Sequence, residues 1–112
     1  MQRFGSVIGI REDHIPEYRR LHAAAWPAVL EMIRRCNIRN YSIYLRRMPD
    51  GRFYLFSYFE YTGADFPADM ARMAADPTTQ EWWKLCKPCQ QPLDDCAPGE
   101  WWASAEEVFH CD

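Results

Sequence analysis

No apolar run in this chain approaches the ~20 residues a helix needs to cross a bilayer, and no charged-then-apolar leader opens it. These two absences point to a cytoplasmic protein with no membrane partner. A surplus of basic residues is missing too: 13 Lys and Arg stand against 16 Asp and Glu, for a formal net charge of -3. The arginines are scattered rather than gathered into a stripe, so a nucleic-acid partner is not expected. Nor is there a disulfide framework, because Cys36, Cys86, Cys89, Cys96 and Cys111 are odd in number and accompany no export signal. Cys86-Lys87-Pro88-Cys89 with Cys96 and His110 could offer soft ligands, yet the second closely spaced pair of a zinc site is absent. No metal is expected. Repeats and low-complexity tracts are also lacking.

What is abundant is apolar and aromatic surface. Hydrophobic residues make up 48% of the chain and aromatics 15%, enough for a core and for a lined pocket or an aromatic interface besides. At 112 residues the chain suits one domain, residues 1–112.

The β-branched run from Phe4 to Arg11 reads as a first strand. Asp13 suits a helix N-cap and Pro16 an early helical position, so a helix is expected from there to about Ala25. Pro27 then restarts or kinks it on the way to Cys36, and Asn37 stops it. Asn40 to Arg47 alternates as a second strand, with Tyr41, Ile43 and Leu45 on one face. Met48-Pro49-Asp50-Gly51 is a turn, and Arg52 to Tyr61 should return as an antiparallel third strand. That third strand is apolar on both faces, so both need cover. A short helix over Ala68 to Ala75, a further turn capped by Thr78 and Thr79 that carries Trp82 and Trp83, a loop over Gln90 to Gly99 and a last strand over Trp101 to His110 complete the reading. The order β-α-β-β-α-β is that of a ferredoxin-like α+β sandwich, with both helices on one sheet face. The uncovered face suits a homodimer that stacks two such sheets by two-fold symmetry.

One stretch carries chemistry. Tyr18, His22 and Trp26 follow one another at four-residue steps, which on a helix places a phenol, an imidazole and an indole along one face. Leu21, Ala25, Val29 and Met32 share that apolar stripe, so the titratable ring points at the core. A core histidine with satisfied nitrogens is the plain structural alternative. A half-buried imidazole between aromatic walls is also well suited to giving and taking a proton near neutral pH. Trp82 and Trp83 read either as core and interface or as an apolar platform, and Tyr41 either as an ordinary strand residue or as a second phenol in register with the helix stripe.

Tyr18 and His22 followed by Trp26-Pro27, then Asn40-Tyr41-Ser42-Ile43-Tyr44-Leu45, then Trp82-Trp83-Lys84, then Glu107-Val108-Phe109 together resemble the L-rhamnose mutarotase family, over nearly the whole chain. The resemblance implies a dimeric α/β-barrel enzyme that interconverts the α and β anomers of a 6-deoxy-L-sugar without metal or cofactor. It implies that His22 is the general acid/base, that Tyr18 and Tyr41 are sugar-contacting phenols, and that Trp82 and Trp83 are an indole pair. Ala23-Ala24-Ala25, Ala28 and the segment from Lys84 to Ser104, with its second pair Trp101-Trp102, depart from the family pattern. The sugar that the resemblance implies is therefore L-rhamnose or a relative such as L-fucose.

The residues suit the chemistry on their own terms. Opening a hemiacetal needs a proton delivered to the ring oxygen and one removed from the anomeric hydroxyl, which one near-neutral imidazole can manage. Indoles stack on the apolar face of a pyranose and phenols bond its hydroxyls. Because a fold does not dictate a function, two other readings stand beside this one. The first is a cofactor-independent oxygenase or haem-handling protein in which His22 meets iron or an aromatic substrate. The second is a sugar-binding module without turnover, which would have no need of a proton shuttle at His22.

Overall fold

The computed structural model describes residues 1–112. Strand β1 (Gln2–Ile10) leads through a 3-10 turn at Glu12–His14 into helix α1 (Ile15–Ala23), and helix α2 (Pro27–Arg35) follows. Strands β2 (Ile38–Arg47) and β3 (Phe53–Tyr61) form the expected hairpin, then come helices α3 (Phe66–Ala75) and α4 (Pro77–Cys86) and the short strands β4 (Gln90–Gln91) and β5 (Ala103–Ala105). The sheet is antiparallel in the order β2-β3-β1-β4, and β5 also pairs with β1. This is the ferredoxin-like α+β arrangement read from the sequence. No helix is long and apolar enough to cross a membrane.

Register explains the layering. Ile8 lies opposite Leu55 and Ile10 opposite Phe53 on β1 and β3, while Leu45 of β2 lies opposite Leu55. Directly opposed residues share a face, so these side chains form one apolar surface. Ile15, Tyr18 and Leu21 of α1, Val29 of α2 and Trp82 and Cys86 of α4 close over it as the main core. At the other end of the same face Phe4 stacks on Phe59 and Phe66 at 5.1 and 4.5 Å. Val7, Tyr44, Phe56 and Tyr58 fall on the opposite face, which no helix covers, and Tyr44 is 65% exposed there.

The first helix is broken rather than kinked. It ends at Ala23, Ala24 leaves helical geometry (φ -133°, ψ 51°), and Trp26 is extended (φ -65°, ψ 131°) as the N-cap of α2. A residue before proline is pushed out of the α region by the ring that follows. Trp26 therefore does not continue the helical face of Tyr18 and His22, and the expectation of a helix to about Ala25 is corrected. Asn37 ends α2 in the left-handed region (φ 66°), its N–H donating to Arg34 O at 3.0 Å, a conformation asparagine tolerates better than most residues.

Three further expectations are corrected. Asp13 is not the cap of α1: the 3-10 turn is closed by the His14 N–H on Arg11 O (3.0 Å), and the Asp13 carboxylate meets His14 Nδ1 instead. Asp76, rather than Thr78 or Thr79, caps α4, accepting from both the N–H and the hydroxyl of Thr79 at 2.9 and 2.8 Å. The last strand is three residues long instead of ten. β4 already occupies Gly9 and Ile10 of the β1 edge, which leaves β5 only Gly5 to Val7. Beyond β5 the chain runs free of the sheet, tied by the Glu107 carboxylate to Arg3 at 2.8 and 3.1 Å, with Val108 and Phe109 86% and 80% exposed.

Candidate active site

A cleft of about 360 Å³ opens between α1 and the covered sheet face. Its walls are Ile10, Ile15, Ile43, Leu45 and Leu55, and Tyr18, His22 and Arg19 bring polar groups into it. That size and that mix of apolar walls with few polar groups suit a small ligand. A larger cleft of about 480 Å³ lies at the hairpin end of the sheet, among Arg11, Glu12, Asp13, Arg52 and Asp94. Charged and polar side chains prevail there beside Phe53 and Tyr54, whereas the smaller cleft is mostly apolar and holds the stacked imidazole, so the smaller cleft is the candidate site.

His22 is held from three sides. Its ring stacks on Tyr18 at 4.1 Å and meets the edge of Trp82 at 5.2 Å, and its Nδ1 lies 2.9 Å from the Tyr18 carbonyl oxygen one turn earlier. A carbonyl only accepts, so Nδ1 carries the proton and donates, and in the neutral ring Nε2 keeps its lone pair. Burial pushes the imidazole below the ordinary 6.5, and the bond to the carbonyl opposes that shift in part. The ring is then neutral near pH 7 and able to accept a proton at Nε2.

Tyr18 is 6% exposed. Burial raises its phenol well above the usual tyrosine range, and the hydrogen bond from Gln90 offsets only part of that shift, so the hydroxyl keeps its proton at neutral pH. Its hydroxyl oxygen accepts a bond from Gln90 Nε2 at 3.2 Å, and Gln90 Oε1 accepts from Trp101 Nε1 at 2.7 Å. Sequence reasoning missed Gln90 altogether, because it stands first in a stretch read as a surface loop. The structure pairs it with Ile10 as a buried strand residue. Only the pairing of β4 with β1 reveals this, and no local pattern encodes it.

Trp82, 7% exposed, is wedged between His22 and Trp26, whose ring it meets at 5.2 Å. Tyr18, His22, Trp82 and Trp26 thus form one continuous aromatic row, of which Tyr18 and His22 line the cleft. Tyr41 lies on β2 against Phe59 at 5.5 Å. It is 43% exposed and is not among the residues that line the cleft. Trp83 turns away from the row and sits under Lys87 Nζ (5.5 Å), which also caps Trp101 (5.6 Å). Trp102 packs against the core. All five cysteines are free thiols, burial pushes Cys86 up to about 12, and no three Cys, His, Asp or Glu side chains gather as a ligand set.

Comparison with known proteins then decides the family, since the family model of L-rhamnose mutarotase matches residues 3–111. The chain belongs to the L-rhamnose mutarotase family. It is 30% identical to the L-rhamnose mutarotase of Oceanobacillus iheyensis over 112 residues, all of both chains. It is 33% identical to an L-fucose mutarotase of Xanthomonas campestris over 115 residues, 97% of this chain and 87% of that protein. The crystal structure of an L-rhamnose mutarotase from Formosa agariphila superposes with a TM-score of 0.73 at 19% identity, covering both chains completely, which supports the fold. The protein is thus an isomerase that interconverts sugar anomers, and nothing in these relatives supports the oxygenase, haem or binding-module readings.

Proposed function

We propose that the whole of residues 1–112 acts as one mutarotase domain on a 6-deoxy-L-hexose, L-rhamnose or a relative such as L-fucose, with His22 as the proton shuttle. The observation that carries this is the fixed tautomer of His22: its Nδ1 is committed to the Tyr18 carbonyl, so Nε2 is the free basic position in an apolar cleft. Nε2 takes the proton of the anomeric hydroxyl as the C1–O5 bond breaks and C1=O1 forms. The imidazolium then gives a proton to O5, directly or through water. Rotation about C1–C2 and the reverse steps return the other anomer. Tyr18 and Tyr41 supply hydrogen bonds to sugar hydroxyls, and Trp82 with Trp26 backs the imidazole as an apolar wall, while Trp83, beneath Lys87, stands apart from it. The sugar is the only small-molecule partner this chemistry requires, and no metal or cofactor takes part in it.

A pH profile tests the shuttle. Because burial lowers the His22 pKa beneath 6.5, kcat/KM for anomer exchange should hold at neutral pH and fall only below that value, as Nε2 becomes protonated. This acid limb should be absent from a His22→Ala variant. The same shift has a stability consequence of known sign. Between the lowered folded value and 6.5 the unfolded chain binds more protons, so stability should decline as pH drops through that window. An acid limb that inflects above 6.5, or one that survives His22→Ala, would assign the titration to another group.

A cytoplasmic homodimer belongs to this reading. The five free thiols suit a reducing compartment. The uncovered sheet face, with Val7, Tyr44, Phe56 and Tyr58, suits a second copy stacked by two-fold symmetry. Sedimentation at micromolar concentration should give twice the 13.3 kDa chain mass. A stable monomer that does not aggregate would remove the dimer from the proposal.

A further inference from the structure

The hydrogen bonds behind Tyr18 have only one consistent direction. An indole N–H donates and never accepts, so the Gln90 atom 2.7 Å from Trp101 Nε1 has to be the amide oxygen. The other end of that amide, its NH₂, then faces the Tyr18 hydroxyl at 3.2 Å, and the tyrosine oxygen is the acceptor. Its own proton is left for the cleft that Tyr18 lines. Gln90 is 6% exposed and Tyr18 as deeply buried, so the bond between them is shielded from bulk water. Trp101 sits further out, 37% exposed, and is held by Lys87 Nζ, which bridges its ring and that of Trp83.

We propose that Gln90, oriented by Trp101, is a positioning residue that makes Tyr18 an obligate hydrogen-bond donor to the sugar, so that Tyr18 selects a sugar oxygen presented as an acceptor. The inference rests on the reading of Tyr18 as a sugar-contacting phenol. It gives the second tryptophan pair a part in the site through Trp101, although that residue lines no wall of the cleft. It also separates the two roles of the stretch from Tyr18 to His22: the Tyr18 carbonyl sets which His22 nitrogen is basic, and Gln90 sets which way the Tyr18 hydroxyl points.

Gln90→Glu inverts the pattern while keeping the shape. A carboxylate accepts from Trp101 as before, but it also accepts from Tyr18, whose proton turns away from the cleft. Anomeric exchange of L-rhamnose and L-fucose, followed by NMR against sugar concentration, should show KM raised about 3- to 10-fold, the worth of one neutral hydrogen bond, with kcat near wild type. The rise in KM should grow with pH relative to wild type, because the introduced carboxyl, while protonated, still has an O–H to donate to Tyr18. Trp101→Phe keeps the ring but unpins the amide, and should raise KM about 2- to 5-fold. It carries the decision if Gln90→Glu does not fold. Both increases should vanish when introduced into Tyr18→Phe, which on its own raises KM. If Tyr18→Phe raises KM but folded Gln90→Glu and Trp101→Phe keep the wild-type KM, or if their effects persist unchanged in the Tyr18→Phe background, the inference fails and the Tyr18 reading stands. If Tyr18→Phe itself leaves KM unchanged, both fail.

Discussion

His22→Ala should slow anomer exchange at saturating sugar by about 100- to 10,000-fold, the usual worth of a positioned acid/base group. At ~1.4 kcal/mol per decade this removes roughly 3 to 5.5 kcal/mol of transition-state stabilisation. The stability of the fold should change much less, by about 0.5 to 3 kcal/mol. The ring is half-buried, and what it loses is the stack on Tyr18 and one bond to a backbone carbonyl. Sugar binding should survive better than turnover, since the apolar walls and Tyr18 stay in place. Tyr18→Phe should do the opposite, weakening affinity and keeping more of the rate, because its hydrogen bond is made in ground and transition states alike. The measurement is anomeric exchange of L-rhamnose and L-fucose by NMR for wild type and both variants, with melting curves alongside. A folded His22→Ala protein that exchanges anomers at the wild-type rate would leave His22 as an ordinary core histidine.

That His22 could be found from the sequence follows from locality. Tyr18 and His22 are one helical turn apart, and their stack and carbonyl bond are both consequences of that spacing. The hairpin was legible for the same reason, since Asp50-Gly51 puts the turn, with Gly51 at φ 82°, between two alternating runs. What escaped was non-local. Trp26 reaches the row only through Trp82, fifty-six residues further along by numbering, after the break at Ala24 has taken it off the face of α1. Gln90 joins the site because β4 takes one end of the β1 edge, and the same competition shortens the last strand, whose Val108 and Phe109 have strong strand propensity but no partner to pair with. Propensity proposes strands, and the free edges of a sheet decide how many residues are used.

Trp82→Ala is expected to be the most damaging single change to the fold. The indole is 7% exposed and belongs to the main core, where it touches both His22 and Trp26. Truncating a buried tryptophan costs about 3 to 5 kcal/mol, the transfer of the ring plus the cavity it leaves. At roughly 4 °C per kcal/mol for a domain of this size, the melting temperature should drop by about 12 to 20 °C. Trp83→Ala should cost well under half of that, because its ring is only half-buried at the edge of the core beneath Lys87. The loss should also reach the chemistry, since the Trp82 edge is one of the three contacts that hold the imidazole. Trp82→Phe, which refills part of the space, should recover some melting temperature and some rate together. Were Trp82→Ala to melt within a few degrees of wild type, or Trp82→Phe to restore stability without restoring any rate, the indole would not be the support that ties the core to His22.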